Sequence, residues 1–162
     1  MAPDDSPLLL RDTGTQEIYA LDWPNVLKVA SANAEKAGVT KRFHTIPGSA
    51  FEVDYGSDYD LVLITNFLHH FDPPTCIRFL KKVHAALKPE GKAITLEFVP
   101  NEDRVTPPIS AAFSLIMLAS TPLGDAYTFR ELEEMFLDAG FSRCTLHPLE
   151  PSVQLAVVSE KS

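Results

Sequence analysis

The sequence has little cysteine and no long apolar run. Its 162 residues include two cysteines, Cys76 and Cys144, which are too few for a disulfide framework and do not have metal-site spacing. The longest apolar stretch, around residues 111–119, is too short to cross a bilayer. The first ten residues lack the charged and apolar regions of a secretory signal. We therefore expect a cytoplasmic protein without a membrane partner.

Basic residues are also scarce. The chain has 14 lysine and arginine residues against 22 aspartate and glutamate residues, a net charge of −8, and no basic cluster. Because nucleic acids and acidic membranes attract positive surfaces, this composition argues against either partner. Apolar residues make up 45% of the chain, which is typical of a globular domain with a real core. No repeat or low-complexity segment is present.

The most informative segment is Tyr59–Phe71, YDLVLITNFLHHF. Its run of four apolar residues is typical of a strand buried on both faces, as in a parallel sheet. Thr65 and Asn66 end the run, and His69 and His70 follow. Open α/β sheets bind ligands at the carboxyl ends of their parallel strands, and histidine is well suited to proton transfer near neutral pH. The two histidines are therefore the first candidates for chemistry.

Strand-like and helix-like segments alternate along the chain. Strands are predicted at residues 17–21, 43–46, 61–65, 92–99, 141–146 and 153–159. Helices are predicted after Asp22, with Gly38 as the stop, at Asp72-Pro73, at Thr106-Pro107 and at the capping box Thr128–Glu131. This alternation predicts an α/β sheet with helices on both faces. The last two strands are too close in sequence for a parallel crossover, so they should be antiparallel.

Five motifs occur in the order and spacing of a known family. They are ALDWPNVL at 20–27, NFLHHFD at 66–72, LKPEGK at 87–92, ITLEFVP at 94–100 and YTFRELEEMFLDAGF at 127–141. Together they resemble the class I S-adenosylmethionine-dependent methyltransferases, and among these the small-molecule O-methyltransferases that include plant phenolic and hydroxyindole enzymes. The resemblance implies a Rossmann-like methyltransferase domain over residues 16–162, with S-adenosyl-L-methionine as cofactor and a small, aromatic or apolar acceptor.

The resemblance also implies roles for individual residues. His69 matches the general base that takes the proton of the acceptor hydroxyl as the methyl group moves, and Glu97 matches the glutamate that orients this base. Asp22 matches the acidic residue that holds the ribose hydroxyls, and a carboxylate can accept from both at once. Further cofactor contacts are implied for Gly14, Ser49, Ala50, Phe51, Thr65 and Asn66.

Several positions depart from the family pattern. Ser49-Ala50 stands where Asp-Met usually contacts the adenine, and Ala126 stands where a second base-orienting glutamate is usual. A His-His pair suggests zinc, but no further ligand stands at metal spacing, so no metal is expected. Plainer interpretations also remain open, because His69 could merely cap a strand end and Asp22 could merely cap a turn. His70 is expected to pack or to enter the next helix.

The largest departure lies at the amino end, where residues 1–15 form an atypical segment. Leu8–Thr15 resembles only the beginning of the family's strand and glycine-rich loop, and the next predicted strand starts at Glu17. About 20 residues of loop and helix are missing, whereas a parallel crossover needs about a dozen or more. The winged-helix dimerisation segment of the family is missing as well. The sheet is therefore expected to be truncated at the N-terminus, with Leu8–Arg11 forming a hairpin or joining a partner chain.

Two functions follow from these observations. The first is S-adenosylmethionine-dependent methyl transfer to a hydroxyl of a small molecule. The alternative is a non-catalytic methyltransferase-like domain that serves as a dimeric binding module. A missing central strand would leave apolar sheet edges at Ile18 and Leu61–Leu63, and open edges recruit other strands. We therefore expect a homodimer with exchanged amino-terminal segments. The apolar Phe113–Met117 helix could line the acceptor pocket or form the dimer surface, and we expect a mixture of the two, with the partner covering part of the helix.

Overall fold

The computed structural model of the chain describes residues 16–162. It divides into two compact units, one ending at Asp54 and one comprising Tyr55–Ser162. Gly14 and the predicted strand Leu8–Arg11 lie outside the described residues, so the predictions made for them stay predictions.

The amino-terminal unit consists of two parallel strands joined by a helix. The elements are β1 (Ile18–Asp22), α1 (Pro24–Lys36), a short 3-10 helix (Thr40–Arg42) and β2 (Phe43–Pro47). The two strands pair from Ile18 opposite Phe43 to Asp22 opposite Pro47. Helix α1 buries Leu27 and Ala34 and ends before Gly38, whose φ of +72° suits the left-handed residue that follows many helices. The predicted helix stop at Gly38 is therefore confirmed.

The carboxy-terminal unit is a four-stranded mixed sheet with three helices. Its elements are β3 (Tyr59–Thr65), a 3-10 turn (Leu68–His70), α2 (Pro73–Ala86), β4 (Leu87–Glu97), α3 (Pro108–Ser120), α4 (Phe129–Asp138), β5 (Arg143–Pro148) and β6 (Leu155–Glu160). The strand order is β3-β4-β6-β5. Strands β3 and β4 are parallel, and β6 runs antiparallel to both β4 and β5. The α/β class and the antiparallel closing pair are thus confirmed.

Helices α2 and α4 pack against each other and supply much of this unit's core. Their fully buried side chains include Leu80, Val83, Leu132 and Phe136. Both helices start as predicted: Asp72 accepts a hydrogen bond from the Thr75 amide, and Thr128 and Glu131 form a reciprocal capping box.

Several predicted boundaries are wrong by two residues or more, including those of β5 and β6, and two of them have a clear cause. Strand β4 starts at Leu87 instead of Lys92, because residues 88–91 form a bulge inside the strand. Leu87 pairs with Tyr59 and Lys92 pairs with Leu61, so the intervening residues have no matching partners in this ladder. Helix α3 starts at Pro108 instead of Thr106. The hydroxyl of Thr106 bonds to the Asp103 carboxylate, 2.7 Å away, and closes a turn instead of capping the helix.

One edge of β1 and one edge of β3 have no partner strand among residues 16–162, because β1 pairs with β2 alone and β3 with β4 alone. Leu61 and Leu63 on β3 are 40% and 41% exposed, while Ile18 and Val62 are half-buried. Each of the two sheets therefore has one open edge at a strand where the sequence predicted an apolar edge. In the same part of the chain, no helix has the length and apolar character needed to cross a membrane.

The carboxyl end of α2 is closed by a lysine from beyond the last strand. The Nζ atom of Lys161 lies 2.8 Å from the carbonyl oxygen of His84 and 2.5 Å from that of Leu87. The last carbonyls of a helix lack intrahelical donors and carry the negative end of the helix dipole. Lys161 therefore ties the end of the chain to α2.

We expect Lys161→Met to lower the free energy of unfolding by about 1–3 kcal/mol, since two charge-assisted hydrogen bonds are lost. The measurement is urea unfolding. Lys92→Met is the matched control, because its ammonium pairs with Glu160 on the surface, where both partners are solvated. The control should lose clearly less stability, and equal losses would contradict the capping role of Lys161.

Candidate active site

A histidine and a glutamate form a buried pair where β4 ends. Glu97 and His69 are only 3% and 6% exposed, and Glu97 Oε2 lies 2.5 Å from His69 Nδ1. A charged carboxylate only accepts hydrogen bonds, so Nδ1 carries a proton and donates it to Glu97. In the neutral ring this leaves a lone pair on Nε2. The pair therefore has the arrangement of a base held in one tautomer by a carboxylate.

The pair is built by the turn that follows β3. Glu97 Oε1 accepts hydrogen bonds from the backbone amides of Phe67 at 3.0 Å and Leu68 at 2.9 Å. Asn66 precedes them with a φ of +52°, a conformation that asparagine tolerates better than most residues. With His69, three donors converge on one buried carboxylate, which is what burial of a charge requires. The same bonds hold the turn that presents His69.

Gly124 packs against the backbone of the catalytic candidate. A Cβ atom at this position would overlap the carbonyl oxygen of His69, so only glycine allows this approach. The Gly124 amide donates to Thr121 Oγ1 at 2.8 Å, which fixes the segment after α3. Sequence reasoning did not single out Gly124, because a lone glycine between two helices also fits an ordinary connection.

The two neighbouring histidines lie in different surroundings. His69 is buried, whereas His70 is exposed, and their ring centroids are 4.3 Å apart. Partial desolvation, followed by the neighbouring His69, lowers the pKa of His70 from its ordinary value, and Glu97 opposes this shift. Of the two, only His69 is bonded to Glu97, so the structure distinguishes these sequence neighbours by their burial and their bonding.

A shallow cavity of about 440 Å³, open to solvent and partly lined by aromatic rings, lies beside His69. Its lining consists of Asn66, His69, Phe98, Phe113, Ser152, Val153 and Gln154. The rings of Phe98 and Phe113 are stacked with centroids 4.3 Å apart. The Phe113 ring also meets His69 edge-on at 4.9 Å. The predicted pocket role of the α3 helix is therefore met by Phe113, and Phe98 and the loop before β6 are lining residues that the sequence analysis missed.

An arginine fixes the loop that leads into α3. Arg104 pairs with Asp125 at 2.9 Å and with Glu131 at 2.5 Å. The hydrogen bond that Arg104 donates to Glu131 raises the pKa of Arg104, partial burial opposes this shift, and Asp125 adds to it. The two acidic partners lie before and within the first turn of α4. This network ties the β4–α3 loop to the start of α4, and this loop leads directly into the helix that carries Phe113.

The amino-terminal unit holds a second set of predicted residues. Asp22 ends β1, and its carbonyl oxygen accepts from the Gly48 amide at 3.0 Å, so the ends of β1 and β2 lie side by side. The Ser49 hydroxyl oxygen accepts from the Phe51 amide at 3.3 Å in the turn that follows β2. Asp22 Oδ1 accepts from the Trp23 amide at 2.7 Å. The plainer capping role predicted for Asp22 is therefore present, and it occupies one of the two carboxylate oxygens.

The structure thus gathers the predicted site residues into one set in each unit. Thr65, Asn66, His69 and Glu97 lie at the edge of the four-stranded sheet, and Asp22, Ser49, Ala50 and Phe51 lie at the edge of the two-stranded sheet. Gly14 falls outside residues 16–162. Within that part of the chain, no cluster of three or more His, Cys, Asp or Glu side chains could hold a metal ion.

The α/β sheet and the buried His–Glu pair at a strand end fit the methyltransferase class that the sequence resembles. The chain belongs to the O-methyltransferase domain family, whose model matches residues 13–142. The predicted resemblance is therefore confirmed.

Individual relatives agree with this family. A crystal structure from Nostoc punctiforme PCC 73102, provisionally named an O-methyltransferase, has 59% identity and a TM-score of 0.88 over 90% of this chain and 45% of its own. An O-methyltransferase family 2 protein from Planctomyces limnophilus, solved with apigenin, has 29% identity and a TM-score of 0.79 over 89% of this chain and 43% of its own.

A curated relative gives the same result. The S-adenosyl-L-methionine-dependent methyl transferase PigF of Serratia sp. strain ATCC 39006 is 31% identical over 126 residues, 77% of this chain and 36% of PigF. PigF has also been solved with SAH, and that structure matches with a TM-score of 0.79 and 26% identity over 90% of this chain and 43% of its own. The chain therefore spans less than half the length of these relatives.

We expect Glu97→Gln to keep the fold but reverse the tautomer of His69. The glutamine carbonyl can still accept from the Phe67 and Leu68 amides, which places the NH₂ group against Nδ1 and moves the ring proton to Nε2. Long-range proton–nitrogen NMR of the His69 ring checks this. The opposite orientation of the glutamine amide is disfavoured, because it would place the NH₂ group against the backbone N–H groups of Phe67 and Leu68.

Glu97→Ala is the contrasting variant. It leaves three donors without their acceptor, so it should lower the free energy of unfolding by about 3 kcal/mol or more. A proton that stays on Nδ1 in Glu97→Gln would contradict the assignment of Glu97 as the group that sets the tautomer.

Proposed function

We propose that the protein transfers the methyl group of S-adenosyl-L-methionine to a hydroxyl group of a small molecule. The observation that carries the proposal is the buried His69–Glu97 pair at the wall of an aromatic cavity. The relatives support it: PigF is named as an S-adenosyl-L-methionine-dependent methyl transferase, and the Planctomyces protein was solved with apigenin, a small molecule.

His69 is the general base in this proposal. Its Nε2 lone pair takes the proton of the acceptor hydroxyl, which makes the oxygen a better nucleophile. The imidazolium that forms is then paired with the Glu97 carboxylate, 2.5 Å from Nδ1. Because the pair is buried, this charge interaction is weakly screened by solvent. Glu97 therefore both sets the starting tautomer and stabilises the charged product of proton transfer.

The residues of the amino-terminal unit fit a nucleoside cofactor. S-Adenosyl-L-methionine, when bound, supplies an activated methyl group. Asp22 would hold the ribose hydroxyls, and no residue of the described chain is bonded to its Oδ2. The turn Ser49–Phe51 lies next to it and would contact the adenine, and Gly14 is a further predicted cofactor contact.

The cavity lining favours a flat apolar acceptor. Phe98 and Phe113 present aromatic surface next to His69, and planar rings pack well against such surfaces. The non-catalytic binding module has no comparable observation in its favour, because the predicted base and its partner are in hydrogen-bond contact and buried together.

Replacing His69 by alanine should reduce methyl transfer about 10²–10⁴-fold, because the acceptor hydroxyl loses its base. Transfer from radiolabelled S-adenosylmethionine to apigenin, and to simple naphthols, is the measurement. His70→Ala is the matched control and should be far milder, since this exposed ring is not bonded to Glu97. Equal losses would indicate that the histidine pair has a structural role only.

Calorimetry with S-adenosylmethionine and S-adenosylhomocysteine tests the cofactor step by itself. Asp22→Ala should weaken binding by about 1.5–3 kcal/mol, the range for hydrogen bonds to a charged group. Affinity that is unchanged in this variant would remove Asp22 from the site. No binding by the unaltered chain at millimolar cofactor would overturn the enzyme proposal.

We also infer a homodimer, which would cover apolar surface at two places. Leu61 and Leu63 lie on a strand with one open edge, and Leu115, Ile116 and Leu118 on α3 are 68%, 56% and 77% exposed. Exposed apolar edges and patches of this kind are typical of association surfaces. Exchange of amino-terminal segments between the two chains would place Leu8–Arg11 against an open edge.

Light scattering at micromolar concentration should therefore give twice the chain mass. Leu115→Lys combined with Leu118→Lys should shift the protein towards monomer, because two charges are placed on the contacting surface. Lys81→Glu, at an exposed position of α2, is a control that should leave the measured mass unchanged. A well-folded monomer of the unaltered chain would refute the dimer.

A further inference from the structure

The cavity has a polar wall that the proposed chemistry does not use. Strands β3 and β4 are parallel and β6 is antiparallel, so the ends of β3 and β4 and the start of β6 meet at one edge. Asn66 follows β3, and Gln154 precedes β6. The two amides therefore approach each other across the end of β4, where Glu97 and Phe98 lie, and both line the cavity.

Both residues are held in place. The Asn66 backbone amide donates to the Leu96 carbonyl oxygen at 3.0 Å, and the Gln154 backbone amide donates to Ser152 Oγ at 3.0 Å. The Gln154 side-chain NH₂ donates to Asn66 Oδ1. The two side chains thus form an amide pair whose position is set from both ends.

The amide pair keeps unused hydrogen-bonding capacity. A primary amide has two N–H donors and one carbonyl acceptor, and one hydrogen bond between two amides uses one donor and one acceptor. The Asn66 NH₂ group and the Gln154 carbonyl oxygen have no hydrogen-bond partner among residues 16–162. Whichever way the amides are turned, the pair retains both a donor and an acceptor. The Ser152 hydroxyl accepts from the Gln154 backbone and keeps its own O–H donor.

The other parts of the lining are mainly apolar. Phe98, Phe113 and Val153 are the apolar members of the lining, and His69, the amide pair and the Ser152 hydroxyl are its polar members. A ligand that fills this cavity therefore meets a base, aromatic surface and a donor–acceptor pair.

We propose that Asn66 and Gln154 form a specificity-determining pair that binds a second polar group of the acceptor. The favoured acceptor is then a flat apolar ring system with one hydroxyl at His69 and another hydrogen-bonding substituent at the amide pair. This inference rests on the proposed methyl transfer. It assigns the Asn66 side chain to the acceptor, whereas the sequence analysis assigned Asn66 to the cofactor.

The test compares two acceptors that differ in one atom group, 6-(hydroxymethyl)-2-naphthol and 6-ethyl-2-naphthol, together with their 7-substituted isomers. Both carry one phenolic hydroxyl, but only the hydroxymethyl substituent can form a hydrogen bond with the amides, and the ethyl substituent cannot. The unaltered protein should favour a hydroxymethyl compound about two- to tenfold in kcat/KM, the range for one neutral hydrogen bond. Gln154→Met should bring this ratio close to one. Gln154→Glu should retain a preference, because its carboxylate accepts from the hydroxymethyl group.

Gln16→Met is the matched control, because it makes the same substitution at the chain's other glutamine, in the other unit. It should leave the ratio unchanged. Equal kcat/KM for both compounds, or a preference that survives in Gln154→Met, would overturn the specificity role of the amide pair. The proposed methyl transfer would be unaffected by either result. Absence of transfer to either compound would contradict the proposed function instead. In that case the two dissociation constants, measured with S-adenosylhomocysteine present, test the amide pair: the hydroxymethyl compound should bind more tightly than the ethyl compound. If neither compound binds, both proposals are overturned.

Discussion

The burial of the Glu97 carboxylate is the constraint on which the candidate active site depends. A charge removed from water needs donors, and this one has two backbone amides from the turn after β3 and the ring of His69. The bonds that satisfy the charge also fix the turn and the imidazole tautomer. Because acceptor and donors come from neighbouring strands, the site requires the parallel register in which Thr65 lies opposite Leu96. Stability and chemistry are therefore coupled at this strand end.

The cavity beside the pair is assembled from segments that are distant in sequence. One wall comes from the turn after β3, another from Phe98 at the end of β4, and a third from the loop before β6. Helix α3 adds Phe113, and the preceding loop is held by Arg104 through Asp125 and Glu131. His69 thus shares this lining with two stacked phenylalanine rings, and the other polar groups are the amide pair and Ser152. This lining is the basis of the proposed flat acceptor with two polar groups.

Open strand edges are the reason why association is expected for this chain. Its six described strands form one sheet of two and one sheet of four, and strands β1 and β3 each keep an edge without a described partner strand. Apolar side chains on such an edge cost free energy when they face water. Helix α3 contributes further exposed apolar surface, although its Phe113 side is used by the cavity. Two faces of one helix therefore have different roles.

Local patterns in the sequence determined much of the architecture. The apolar run before Thr65, the Asp72-Pro73 helix start, the Thr128–Glu131 capping box and Gly38 each predict an element through interactions within a few residues, and each is found. The family resemblance also identified His69 and Glu97. Tertiary structure decided the rest. The contact of Gly124 with His69, the Asn66–Gln154 bond and the Lys161 cap join residues up to 88 positions apart. Such contacts depend on strand order and register, which no local pattern encodes, so only the folded chain reveals them.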